Sequence, residues 1–527
     1  MREHTRICIG WAGAAIAIAA LSLCVTTRVS AEEYAERVND LRAAGNLQEA
    51  AAVACEWAAG EPGSTAALHS CAELAAAVGR YSPAEEALRS LLFHTPGDPD
   101  VHVALGEVLL QRGLADEARE QFRAAIQAGG EPGPAYTGLA RATINDAESP
   151  GDMLSAAEVA LTVAPDYPGS HAVMGAALRE LGRLDEAVNV LRQARENSPG
   201  YPRANFELGL TWALMGEETQ ARRAWERYAQ MEPHSPESWL LRHRLLLTET
   251  EAITDRAFDA HYSPDGSRIA YRARGEGGWG IYTIPAEGDG PETKLWAEEA
   301  NVQSFAWSPA GDRIAVMLLQ REGAGGKQWT RKLLLIPADG GGEAEVLLEE
   351  RNMGEIAWNR GNGRIGVRAH IPRQGHTILQ VDPESGESEQ VEGLEKGAIH
   401  YAPAWSPDGT TMMAARRSMR RPDGSFAYDL VVGPADDFAS ARVIHRVDGL
   451  PRNPTFTPDG SAIVYALPSG DATFRIWAIP TDGSRDPVLV DRNTGRLATP
   501  DISPDGRFLL TTRDTTLVRA ALAGTEE

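Results

Sequence analysis

Two spacings of apolar residues follow one another along the chain. From Glu32 to about Glu232 they recur at helical intervals, and the pattern repeats every 34 residues. Pro62, Pro96, Pro165, Pro199 and Pro233 mark the repeat, with gaps of 34, 69, 34 and 34, the 69 being two repeats and one inserted residue. Ala50, Ala84, Ala187 and Ala221 stand 12 positions before these prolines, and Ala118 lies one period after Ala84. Gly45, Gly79, Gly113, Gly182 and Gly216 each precede one of these alanines by five. This order predicts helix hairpins. The glycine ends the first helix, the alanine lets the two helices approach closely, and the proline ends the second because it cannot donate to the preceding turn. Leu105, Leu109 and Phe122, and later Leu208, Trp212 and Trp225, fill the remaining core positions. The repeat around Ser149-Pro150 is the least regular, and Ser235 to Leu247 reads as a capping helix over the last apolar face.

After Thr248 the helical period stops and short β-rich runs begin. Six turns of one type punctuate them. Five read Tyr262-Ser263-Pro264-Asp265-Gly266, Trp307-Ser308-Pro309-Ala310-Gly311, Trp405-Ser406-Pro407-Asp408-Gly409, Phe456-Thr457-Pro458-Asp459-Gly460 and Ile502-Ser503-Pro504-Asp505-Gly506. The third in chain order is degenerate, Trp358-Asn359-Arg360-Gly361-Asn362. Successive copies are 45, 51, 47, 51 and 46 residues apart, room for one four-stranded blade each. The apolar residue before the Ser position packs between blades, and Pro-Asp-Gly makes the tight turn. Strands follow at Arg268–Tyr271 and Ala462–Tyr465, at Ile281–Pro285, Leu334–Pro337 and Ile476–Pro480, and at Pro487–Val490. The sixth blade has three strands before the chain runs out, so the unassigned segment Leu245–Ile253 is expected to supply its outer strand and close the ring.

The first half resembles the tetratricopeptide repeat (TPR) family over about 200 residues, most closely at Leu208-Gly209, Trp212, Ala221, Trp225 and Pro233. The resemblance implies a concave groove lined by the first helix of each hairpin. The groove positions include Val173, Arg179, Phe206, Glu207 and Leu210, which are not the basic, Asn-rich set that clamps a peptide carboxylate. Phe206 and Leu210 either face a partner or pack against the capping helix. The second half resembles the TolB propeller family over about 270 residues, which implies a periplasmic platform that docks proteins on one face or in its channel.

Composition narrows the function. Hydrophobic residues are 43% and charged residues 24%, a globular balance. The formal net charge is −23, the reverse of the basic footprint that nucleic acids require and unfavourable at anionic membrane surfaces. Arg2 and Arg6, the uncharged run Ile7–Val25 and Val29-Ser30-Ala31 fit a signal peptide, an uncleaved anchor being the alternative. Of the four cysteines, Cys55 and Cys71 remain after cleavage, on neighbouring helices; they are either a disulfide or two small buried side chains.

Motifs for zinc hydrolysis, a serine nucleophile elbow and a phosphate loop are absent. Two and four residues before the Ser position, where inner strands face the axis, stand His261 and Asp501, and Asp259 and Glu355. These four are the candidates for a weak cation site, against the plainer reading of polar residues lining a wet channel.

The sequence therefore predicts a multidomain α plus all-β chain. Residues 1–31 are a signal peptide, 32–247 an α-solenoid of about six TPR hairpins with a cap, and 248–527 a six-bladed TolB-like β-propeller. The expected function is a non-catalytic, exported interaction scaffold of the cell envelope. Its partners would be envelope or secreted proteins, with no nucleic acid, no cofactor and no stable membrane insertion. It would be periplasmic, with extracellular or N-terminally anchored as alternatives. The competing function is a channel lyase or hydrolase acting on a carbohydrate or lactone with help from a cation.

Overall fold

The computed structural model describes residues 30–524 apart from 147–149, 276–277, 299–300, 323–327, 351, 372–374, 396, 422–423, 470–472, 492–494 and 496–497. The expected targeting segment up to Val29 lies outside the described residues, as does Ser149. The described residues divide into two compact units, one running up to Val78 and taking in Ser82–Pro96, the other made of Gly79–Tyr81 and the chain from Gly97 onward.

The described part of the smaller unit is built from helices α1 (Ala31–Ala43), α2 (Leu47–Gly60), α3 (Thr65–Ala77) and most of α4 (Tyr81–His94). Ser30 caps α1 in a reciprocal box: its hydroxyl accepts from the Glu33 amide and its own amide donates to the Glu33 carboxylate. Ala50, Ala54, Leu68 and Leu74 are buried between the helices. Cys55 on α2 and Cys71 on α3 are joined in a disulfide, with Cα atoms 4.6 Å apart.

The larger unit begins with nine more helices: α5 (Pro99–Gln111), α6 (Ala115–Gln127), α7 (Pro132–Asp146), α8 (Pro150–Val163), α9 (Pro168–Glu180), α10 (Leu184–Asn197), α11 (Pro202–Leu214), α12 (Glu218–Met231) and α13 (Pro236–Arg242). The hairpin logic holds in detail. Gly182 and Gly216, at φ 70° and 74°, turn the chain from first helix to second in the left-handed conformation that side chains avoid. Within a hairpin, an added Cβ at Gly209 would lie 2.2 Å from Trp225 Nε1, and one at Gly175 would lie 2.3 Å from Leu191 Cγ. Close approach thus falls on small first-helix residues as well as on the second-helix alanines. The cap is shorter than expected. It ends at Arg242, and the chain is extended again from Leu246.

Six four-stranded antiparallel sheets follow, which are the blades. Their innermost strands are β2 (Ala257–Tyr262), β6 (Asn301–Trp307), β10 (Met353–Trp358), β14 (His400–Trp405), β18 (Arg452–Phe456) and β22 (Asp501–Ile502). The turn after each is held by its own side chains. Ser263 donates to Asp265 at 2.5 Å and accepts from the Arg268 amide at 3.0 Å. Ser406–Asp408, Thr457–Asp459 and Ser503–Asp505 repeat the first bond at 2.6 Å. The ring closes as expected: β1 (Leu246–Thr254) pairs antiparallel with β24 (Thr516–Ala523), Leu246 opposite Ala523 and Ala252 opposite Val518.

One hydrophobic core joins helices to blades within this unit. Trp225, Trp239, Leu241, Leu245 and Leu246 cluster with Val464, Ile476, Val488, Ile502 and Leu509. Arg485 lies over the Trp239 ring at 5.5 Å, and Arg475 donates to the Gly113 carbonyl. Pulling the last hairpins from blades five and six would expose this core to water, at about 25 cal/mol for each Å² of apolar surface.

Candidate functional site in the propeller channel

The innermost strands of the blades surround a cavity of about 540 Å³. Its wall mixes apolar and charged side chains. His261 on β2 stands between two carboxylates. Its Nε2 is 3.5 Å from Asp259 Oδ1 and its Nδ1 is 3.7 Å from Asp501 Oδ2. Phe305 meets the ring edge-on with centroids 5.0 Å apart. Burial pushes the imidazolium down, but Asp259 and Asp501 outweigh it and raise the pKa to about 9. His261 is therefore a cation at neutral pH, with a carboxylate beside each ring nitrogen.

Both carboxylates have further partners. Asn453 donates to Asp259 at 2.9 Å from a left-handed backbone conformation, φ 43°. Asp501 accepts from the Tyr262 amide at 2.8 Å and from the Thr455 hydroxyl at 3.4 Å, so it ties the first, fifth and sixth blades together.

Three of the four cation-site candidates, His261, Asp259 and Asp501, come together, and Glu355 stands apart from them. Asp259 and Asp501 flank the His261 imidazole at its two nitrogens. Glu355, on the opposite side of the ring, pairs with Arg368. Among the described residues no group of three His, Cys, Asp or Glu side chains could hold a metal ion.

Sequence reasoning looked to the axis for acids and histidines and passed over the arginines. Arg272, Arg331, Arg360, Arg368 and Arg452 all line the cavity, against three carboxylates. Arg272 and Arg368 stand nine residues after the Ser position of the first and third turns, on the second strand of each blade. Comparing blades at that offset would have found them. Arg272 donates to the Val302 carbonyl and lies over the Trp279 ring at 5.1 Å. Arg368 lies over Tyr401 at 5.5 Å.

The helical groove candidates require correction. Phe206, Glu207 and Val173 are buried, with relative exposures of 4%, 3% and 2%. Val173 packs among α7, α8 and α10. Phe206 and the partly buried Leu210 pack into the core shared with the cap, as the packing alternative anticipated. Glu207 is the centre of a buried ion chain. It accepts from Arg179 at 2.5 Å and Arg203 at 2.8 Å, and Arg203 continues to Glu237 at 2.6 Å. These residues bind neighbouring hairpins to one another, with Arg203 the most exposed of them.

With the geometry described, the likenesses to known proteins fall into place. The tetratricopeptide repeat family matches residues 72–132 and 173–242. A solved TolB from Acinetobacter baumannii shares 15% identity at a TM-score of 0.37, covering 50% of this chain and 65% of that one. An oligogalacturonate lyase in complex with manganese shares 13% at 0.37, covering 52% and 93%. YrrB, a TPR protein with an unusual peptide-binding site, shares 20% at 0.23, covering 35% and 94%. No curated protein matches by sequence. Likeness at this level reports fold and nothing of activity. The chain is a repeat protein of two kinds, TPR helix hairpins followed by a six-bladed β-propeller with TolB-like structural neighbours.

Proposed function

We propose that this protein is an exported, non-catalytic scaffold of the cell envelope that docks partners on the helical array and on the propeller. The observation that carries this reading is the shared core of Trp225, Trp239, Leu245 and Leu246 with blades five and six. Two repeat surfaces fixed to each other make one binding event raise the effective concentration for the next.

The test is affinity capture from a native envelope extract with the full mature chain as bait. Phe93→Ser and Trp329→Ser, at exposed apolar positions on the array and the propeller, serve as paired variants. The scaffold reading expects reproducible proteins, one set lost with each variant. Recovery of none, together with turnover of a glycan or lactone panel, would replace it with the enzyme reading.

A further inference from the structure

The third blade departs from the other five at its turn, and the departure is built rather than decayed. Asn359 takes the Ser place and is fully enclosed. Its side-chain oxygen accepts from the Gly361 amide at 2.8 Å, and its amide donates to the Gly409 carbonyl of the next blade at 3.3 Å. A side chain at residue 361 would put its Cβ 2.4 Å from the Asp408 carbonyl, so glycine is required there. The left-handed residue moves from the fourth place of the turn, Gly266, to the fifth, Gly363. These changes keep the loop length and free its second position. Where five blades carry proline, this one carries Arg360, which lines the channel.

Arg360 lies near enough to His261 to oppose its charge. Unlike Arg368 it has no carboxylate partner among the described residues, and the same holds for Arg452 at the start of the fifth blade's innermost strand. The two are six positions apart in strand register, ~20 Å of extended chain, so they stand at opposite ends of the channel. Trp358, Trp405, Phe456 and Phe474 supply apolar wall between them. In a chain of net charge −23, the channel wall carries five arginines and a protonated histidine against three carboxylates.

We propose that the channel is a receptor for a carboxylate-bearing ligand, held by Arg360 at one end and Arg452 at the other. A guanidinium fork matches a carboxylate in shape and charge. The chemistry is shared by a free organic polycarboxylate and by acidic side chains of a polypeptide segment. A compact anion engages one arginine, whereas an extended segment with carboxylates several residues apart reaches both. The proposal rests on the scaffold reading only in that the ligand is bound and released unchanged.

Isothermal titration of the full mature chain at low salt provides the test, with citrate and the peptide Glu-Gly-Gly-Gly-Glu as probes and its Gln counterpart as control. Binding of at least one acidic probe, weakened about tenfold or more by Arg360→Ala, is the expected result. Tighter binding of the peptide, with loss in Arg452→Ala as well, assigns a polypeptide ligand. Equal or tighter binding of citrate, with loss in one variant only, assigns a small anion. No heat with either probe, or affinities unchanged in both folded variants, overturns the proposal. Chemical change of a bound probe, followed by NMR, would break the scaffold reading and leave this one standing.

Discussion

Two clusters of buried charge sit in the larger unit and are arranged to opposite effect. In the helical array, Arg179, Glu207, Arg203 and Glu237 alternate in sign along one chain of hydrogen bonds. Every charge has a partner, and the Tyr228 hydroxyl donates to the last carboxylate at 3.2 Å. In the propeller, the Asp259–His261–Asp501 group is also satisfied, but it opens onto a cavity where cations outnumber carboxylates. The first cluster is closed and can only hold structure together. The second leaves binding capacity over. The count of unmatched charge, and not burial itself, separates an architectural network from a receptive one.

The comparison can be broken by substitution. The largest effect is expected from Glu207→Ala, which leaves Arg179 and Arg203 buried without their shared carboxylate, a loss of about 3–5 kcal/mol in urea unfolding. Burial would raise the Glu207 pKa, yet the two arginines hold it below the ordinary value. Its stabilisation is therefore present above the ordinary carboxylate range and fades as pH falls beneath it. His261→Gln should cost less, about 2 kcal/mol at pH 6, since Asp259 and Asp501 keep other donors. Here the folded pKa is raised, so the contribution is whole below the ordinary value of 6.5 and is lost as pH rises through about 9. Thermal melts of wild type and variant should converge by about pH 10. A constant gap would mean that His261 acts by packing. Glu107→Gln at the half-exposed Arg141 pair, 2.7 Å apart, should cost under about 1 kcal/mol. Arg360→Ala should change stability by no more than about 0.5 kcal/mol. If it destabilised the fold as much as Glu207→Ala, the contrast between the clusters would collapse.

How much of this was legible in the sequence depended on repetition. A 34-residue period and six turns fix hairpins and blades because each copy confirms the others. Ring closure followed from counting strands, and β1 pairs with β24 where the count required it. Single-copy features were harder to read. Phe206 and Glu207 fell at groove positions by family offset, but the cap and Arg203 cover them. Arg360 stood in plain view in the degenerate turn. The turn reads as degenerate, because nothing in one sequence shows that Asn359 and Gly361 rebuild the same loop.

The closing strand also sets an order of events during synthesis. β1 leaves the ribosome ahead of every blade, and Leu246 is already part of the core that the helices provide. Its partner β24 follows the strands of all the other blades, so the ring cannot close before that strand has been made. A chain cut anywhere before Thr516 leaves that edge unpaired, a ready template for another strand. Loss of β24 would therefore turn a closed ring into one with an exposed, pairable edge.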